Sequence, residues 1–138
     1  MWKDGIERSA FPEKNQSSFY TVSIAEGIES NCAVTKASPV ACGSYGGTKV
    51  SLVRFEIPTG KKHQIRAQSA FHGFPLLGDT AYGSSPLKER KFFLHAFRME
   101  FREKNSLFLP AVIEAPLPAE FENFLNSALI KWDGKLII

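Results

Sequence analysis

The clearest alternation of apolar and polar residues runs from Val50 to Ile57 and predicts a β-strand. Val53 and Phe55 fall on one face with Ile57, while Arg54 falls on the other, and such a period of two is typical of a half-buried strand. The apolar face is therefore expected to pack on the core and to position the turn that follows Ile57.

Other stretches have weaker strand patterns. The sequence predicts a strand over Phe19–Ile24, a less regular one over Cys32–Ala37 and Pro39–Ala41, and a glycine-rich hairpin loop over Gly43–Thr48. From Phe93 to Phe101 nearly every position is apolar, which favours a central strand that is buried on both faces.

Two helices are expected. The first is a short helix over Ala67–Gly73 that glycine stops, with Phe74–Leu77 buried beneath it. The second opens at Pro118–Glu120, because proline is favoured in the first turn of a helix. Its apolar positions recur at helical spacing and indicate core packing rather than a partner groove; they are Phe121, Phe124, Leu125, Ala128 and Leu129.

Length and composition fit one globular domain. The chain has 138 residues, 43% hydrophobic, with a formal net charge of +3, which permits RNA binding without arguing for it. Cys32 and Cys42 do not have zinc-ligand spacing, and a disulfide between them lacks the support of a secretory segment. No apolar run reaches membrane-spanning length, so a cytoplasmic protein with reduced thiols is expected.

Basic residues gather at the start of the first predicted helix. Lys61, Lys62 and Arg66 lie where acidic residues would stabilise the positive end of a helix, so a phosphate-bearing ligand is expected there. A solvated Lys-Lys turn is the alternative. Further basic residues suggest that the cluster borders a basic groove, and these are Lys88, Arg90, Lys91, Arg98 and Arg102.

Five motifs together resemble the RluA-type RNA pseudouridine synthases. They follow the order and approximate spacing of that family's T-G-R-T-H-Q-I-R, G-h-P-l-x-G-D, Y-G, L-H-A-x-x-L-x-F and E-A-P-L-P segments. In this sequence they are Thr59–Arg66, Gly73–Asp79, Tyr82–Gly83, Leu94–Phe101 and Glu114–Pro118.

The resemblance implies an α+β fold, with a mixed, mostly antiparallel sheet and short flanking helices. It divides the chain into an irregular lead-in (1–18), the C-terminal part of a synthase-like catalytic domain (19–130) and an extra tail (131–138). It also implies isomerisation of uridine to pseudouridine in rRNA or tRNA, without a cofactor or a metal.

The same resemblance assigns roles to site residues. Arg66 matches the arginine that pairs with a nucleophilic Asp, and Leu94 matches an apolar residue of the uracil pocket. Lys61, Lys62, His63 and Gln64 match the RNA-binding loop. For His63 the alternative is that it caps or braces the turn, and for Gln64 that it holds the loop. His72 and His95 are expected to be packed rather than catalytic.

The family's H-R-L-D motif, which carries the nucleophile, has no counterpart before Thr59. The only aspartate there is Asp4, whose neighbours do not match. The chain is therefore expected to be a C-terminal fragment that is inactive alone and complements the missing N-terminal half of the domain. The alternative is a non-catalytic RNA-binding or ribosome-associated module derived from the family.

Overall fold

A computed structural model describes residues 1–8, 22–25, 32–83, 92–101 and 109–133. Within these residues the fold is α+β, and every strand pair is antiparallel. The larger sheet has four strands in the order β2-β1-β3-β4. Its strands are β1 (Trp2–Arg8), β2 (Val22–Ala25), β3 (Cys32–Tyr45) and β4 (Thr48–Glu56).

The predicted lead-in begins with a strand rather than an irregular loop. β1 pairs with β2 on one side and with β3 on the other, and Trp2 lies opposite Thr35. Asp4 and Ile6 share the face of Trp2, because side chains alternate along a strand. Ile6 is buried against Ala67 in a small cluster. Because most residues of this segment are polar, the sequence shows no strand pattern, although Ile6 on one face is buried.

The longest hairpin joins β3 to β4. It unites the two weaker strand predictions, and its turn is confined to Gly46 and Gly47, both with the positive φ that a tight two-residue hairpin needs. Val40 has no partner opposite it, because Pro39 pairs with Val53 and Ala41 with Leu52. This bulge lies beside a proline, which has no N–H to give to the ladder.

Helix α1 (Gln64–Phe71) begins three residues before its predicted start and ends as expected. Gly73 has a φ of 84°, and Phe74 N donates to Ser69 O at 2.8 Å, so the chain reverses at the glycine. Phe74 is 72% exposed. The prediction that it is buried beneath the helix is wrong, because this reversal directs the chain away from the core.

The predicted central strand over residues 93–101 is also wrong. Only Arg98–Glu100 (β5) is a strand, and it pairs with Val112–Glu114 (β6) in a two-stranded ribbon whose residues are exposed. Phe93 instead packs its ring on Phe121 and Phe124 of the second helix. Phe97 contacts Trp132 beyond that helix, and Met99 is 57% exposed, so these apolar positions do not form a central strand.

Helix α2 (Ala119–Ser127) confirms the second helix prediction. Leu125 and Ala128 form a buried cluster with Ile130, on which side chains of β3 and β4 pack. Leu129 is the exception, since it is 80% exposed with a φ of 57°. It lies beyond the last helical turn, where the 3.6-residue period no longer applies.

Candidate functional site

The loop before α1 is held by the side chain of Gln64. Its Oε1 accepts from Thr59 Oγ1 at 3.1 Å and from Lys61 N at 3.0 Å. Its Nε2 donates to Val34 O at 2.8 Å and to Thr35 Oγ1 at 2.9 Å. All four hydrogen-bonding positions of the amide are thus used.

Gln64 is consequently not an RNA contact in this structure. The residue is 3% exposed, and its partners all lie within the chain. Of the two interpretations that the sequence left open, the structure supports the one in which Gln64 holds the loop. The predicted RNA-binding role is corrected on this ground.

A second glutamine, one helical turn later, joins α1 to β1 and β3. Gln68 Oε1 accepts from Thr35 Oγ1 at 2.6 Å, and its Nε2 donates to Asp4 Oδ2 at 2.8 Å and to Ala33 O at 3.1 Å. His72 Nε2 lies 3.0 Å from the same carboxylate oxygen. Asp4, the one aspartate before the signature, is therefore a structural anchor for the helix.

His63 stands at the N-terminus of α1 with a φ of 53° and makes no capping bond through its side chain. Its Nδ1 lies 2.8 Å from the hydroxyl of Tyr82, with the two rings edge to face. Desolvation lowers the pKa of His63 from its ordinary value, and the charges of Arg66 and Lys62 lower it further against the opposing effect of Asp79. The geometry supports a bracing role for this side chain.

Arg66 is held in place by three side chains, those of Asp79, Tyr82 and Phe92. Its Nε donates to Asp79 Oδ2 and its Nη2 to Asp79 Oδ1, both at 2.8 Å. The guanidinium carbon also lies 4.9 Å from the ring centre of Tyr82 and 4.4 Å from that of Phe92. The hydrogen bonds to Asp79 raise the pKa of Arg66, so the guanidinium stays charged.

The two lysines of the loop are exposed, whereas the second basic cluster is only partly described. Lys88, Arg90, Lys91 and Arg102 lie outside the described residues. Arg98 donates to Glu100 at 2.7 Å and to Glu114 at 2.8 Å, so its charge is balanced locally. Arg98 does not add to a basic groove.

Leu94 is 38% exposed and lines a surface pocket with Phe92, His95 and Phe121. Phe92 contacts Arg66 as well, so it links the two residues that the sequence singled out as catalytic. His95 Nε2 lies 3.2 Å from Ala115 O, as expected for a packed histidine.

Two further properties concern the described residues alone. None of their helices is long and apolar enough to cross a membrane. Across the same ranges, no group of three or more His, Cys, Asp or Glu side chains has an arrangement that would hold a metal ion.

Comparison with known proteins confirms the resemblance that the motifs predicted: the chain is similar to RNA pseudouridine synthases of the RluA type. It is 39% identical over 79 residues to the uncharacterized RNA pseudouridine synthase YhcT of Bacillus subtilis, covering 57% of this chain and 26% of that protein. It is 28% identical over 108 residues to tRNA pseudouridine synthase C of Vibrio cholerae, covering 72% and 43%. With ribosomal large subunit pseudouridine synthase D of Borreliella burgdorferi it shares 32% identity over 90 residues, covering 64% and 27%.

The chain thus spans between about a quarter and two fifths of the length of these relatives. No protein-family model matches it, and no solved structure matches it. The relation to the synthases therefore rests on sequence similarity.

Sequence reasoning missed three members of the Arg66 site. Asp79 and Tyr82 were placed in the matched motifs without a role at Arg66; Asp79 also accepts from Ala81 N at 3.3 Å. The lone acidic residue between Arg66 and Tyr82 was nevertheless a usable signal, since a buried arginine requires a carboxylate partner. Phe92 gave no such signal, because it lies outside the matched motifs and just before the predicted strand over Phe93–Phe101.

Proposed function

We propose that this chain takes part in the isomerisation of uridine to pseudouridine in rRNA or tRNA, and that Arg66 is its contribution to the reaction site. The observation that carries the proposal is the fixed position of Arg66, between two aromatic rings and against the buried Asp79. A site that must orient a carboxylate at a reacting sugar benefits from a donor that does not need to reorganise.

Arg66 has donors left for a second carboxylate. Of the five N–H groups of a guanidinium, two are used by Asp79, and the side chain is 16% exposed. Arginine pairs with carboxylates through two parallel hydrogen bonds and favours their ionised form. A nucleophilic aspartate at the remaining edge would be kept charged in an enclosed site.

That nucleophile is not Asp79 in this proposal. Both oxygens of Asp79 accept from Arg66, and the residue is 1% exposed, so it has no access to a uridine. The nucleophile is an aspartate from the other part of a synthase catalytic domain. Lys61, Lys62 and His63 would lie on the RNA side of the loop, and Leu94 with Phe92 would line the base pocket.

One observation favours a second candidate, the non-catalytic RNA-binding module. The charge of Arg66 is already balanced by Asp79, so the residue is stable in its position without any nucleophile. In that case the chain binds RNA through the exposed lysines and modifies nothing.

Mapping pseudouridine in rRNA and tRNA of cells that normally encode the chain separates the two candidates. Deletion of the gene should abolish pseudouridine at one or more positions, and wild type should restore it whereas Arg66→Lys should not, because lysine lacks the bidentate geometry. Lys49→Ala, at an exposed lysine of the hairpin, is the control. An unchanged map after deletion would overturn the isomerase proposal.

The purified chain supplies a second measurement. Incubated alone with RNA, it should form no pseudouridine, because the nucleophile comes from elsewhere. Formation of pseudouridine by the purified chain would show that the nucleophile has been misassigned.

A further inference from the structure

Two phenylalanines at the C-terminal end of α1 are exposed to solvent. Phe71 is 54% exposed and Phe74 is 72% exposed. By helical spacing Phe71 lies on the same stripe as Gln64, Ala67 and Gln68, which are all buried. The core-facing stripe of the helix therefore ends in an aromatic ring that the described chain leaves largely uncovered.

Phe71 is also the exposed end of a row of rings, which we call the aromatic row. It contacts the ring of His72 edge to face at 5.3 Å. His72 stacks on Trp2 at 4.7 Å, with their planes 11° apart, and Trp2 contacts Phe55 at 5.9 Å. The row crosses from β4 over β1 to the helix.

The aromatic row is anchored at its centre. His72 Nε2 lies 3.0 Å from Asp4 Oδ2, and the same oxygen accepts from the buried Gln68. A ring next to a fixed neighbour loses little freedom when a ligand covers it, which favours binding.

The positive charge just before the N-terminus of α1 indicates which class of ligand would cover these rings. Lys61 and Lys62 are exposed just before α1, and a helix of this length is about 12 Å long. Cations that meet phosphates, together with aromatic rings that stack on bases, are the combination by which proteins hold single-stranded nucleic acid.

We propose that Phe71 and Phe74 stack on unpaired bases of the same RNA strand whose phosphates meet Lys61 and Lys62. The inference rests on the proposed function, in which RNA is the ligand, and it names the single-stranded part of that RNA and its contact surface. Stacking accepts any base, so this surface contributes affinity rather than sequence specificity.

A protein partner is the competing occupant, and the composition of the surface argues against it. Exposed large apolar residues on the β5–β6 ribbon are aliphatic, namely Met99, Val112 and Ile113. The end of α1 instead presents Phe71, beside the ring of His72, and Phe74 follows in the turn after the helix. Aromatic rings also occur in protein interfaces, so it is their combination with the two exposed lysines before the helix that favours nucleic acid.

Binding of an oligouridine and of an abasic ribose-phosphate strand of equal length, each measured by fluorescence anisotropy at several salt concentrations, tests the proposal. Phe71→Leu/Phe74→Leu should weaken oligouridine binding about tenfold, within the range for lost base stacking, and leave its salt dependence unchanged. Binding of the abasic strand should not change. Phe71→Tyr/Phe74→Tyr should retain wild-type affinity, and Met99→Ala/Ile113→Ala is the control for exposed apolar area.

Lys61→Ala/Lys62→Ala gives an independent response. This variant should bind both strands more weakly. The slope of log affinity against log salt should become shallower by about 0.7 for each lost phosphate contact. If only the phenylalanine variant loses affinity, the lysine cradle of the proposed function is wrong and the stacking surface stands.

Unchanged oligouridine affinity in the Phe71→Leu/Phe74→Leu variant would overturn the inference. Equal affinity of wild type for the oligouridine and the abasic strand would also overturn it. That result would not affect the proposed function, which the pseudouridine map tests separately. Loss of self-association in that variant, measured by sedimentation without RNA, combined with unchanged RNA binding, would assign the surface to a protein partner instead.

Discussion

Arg66 and Asp79 face each other through two parallel hydrogen bonds of 2.8 Å, with Asp79 at 1% exposure and the Arg66 side chain at 16%. The geometry is bidentate, the arrangement for which a planar guanidinium is best suited. It fixes the first turn of α1 to the loop that carries Tyr82, so the pair has a structural role whatever chemistry Arg66 serves.

Removing Arg66 should be costly because it leaves the Asp79 carboxylate buried without a cation. Arg66→Met is expected to lower the free energy of unfolding by about 3–5 kcal/mol, and Asp79→Asn by less, about 1–3 kcal/mol. Urea denaturation measures both. Arg98→Met removes an arginine whose partners are exposed and should change stability little. Equal effects at Arg66 and Arg98 would contradict the buried pairing.

Gln68 should be intolerant of apolar replacement despite its position in a small core. The residue is 0% exposed and bonds Thr35, Asp4 and Ala33. Gln68→Leu removes three hydrogen bonds and leaves the buried Thr35 hydroxyl without its acceptor, so it should cost about 1–3 kcal/mol. The thermal unfolding midpoint of Gln68→Leu should be lower than that of Glu122→Leu, a substitution at an exposed position of α2. A midpoint equal to that of this control would argue against the network.

Gly43 is expected to reject alanine for steric reasons. A Cβ there would lie 2.1 Å from Ala128 O and 2.6 Å from Ile130 Cγ1, where Ser44 N now donates to Ala128 O. Gly43→Ala should destabilise by about 1–3 kcal/mol, as forced overpacking does. Gly60→Ala is the matched control, since a Cβ at that glycine meets no atom within 4 Å. Denaturation of the two variants side by side should separate them clearly.

Protonation of His63 should weaken the fold at mildly acidic pH. Because the folded pKa lies below the ordinary value of 6.5, the unfolded chain binds more protons as pH falls through 6.5. The stability conferred by neutral His63 is present above that pH and is lost between the unfolded and the folded pKa. His63→Gln should therefore reduce the loss of stability between pH 7.5 and pH 5.5, a range of about one unit either side of 6.5.

Denaturation curves at both pH values, for wild type and for His63→Gln, measure this difference. His95→Gln is a control at a histidine outside the Arg66 site. An identical pH dependence in wild type and His63→Gln would contradict the lowered pKa.

The sequence predicted where elements occur better than which face they bury. The alternation around Phe55 and the proline before Ala119 each placed an element correctly. Val50 and Leu52 of β4 pack on the buried cluster, whereas Ile57, on the face expected to pack on the core, is 47% exposed.

β1 was missed because its polar residues include Asp4, whose carboxylate is satisfied by Gln68 and His72, partners more than 60 residues away. Periodicity does not record such distant hydrogen bonds.

The sequence predicted which residues belong to the candidate site better than it predicted the contacts between them. Motif resemblance indicated Arg66, and the structure adds the carboxylate and the rings that hold it. Gln64 was assigned to RNA because it matches the family's RNA-binding loop, whereas its amide is buried and bonds within the chain. A linear motif gives the order of residues but not which side of a turn each one faces.

The bulge at Val40 divides β3 into two lengths that serve different parts of the molecule. The first length carries Ala33 and Thr35 beneath α1, and the second carries Ala41 and Tyr45 toward α2. Because Val40 alone lacks a partner within the described β3–β4 ladder, that ladder continues on both sides of the bulge. One hairpin is therefore the common scaffold on which both helices are packed.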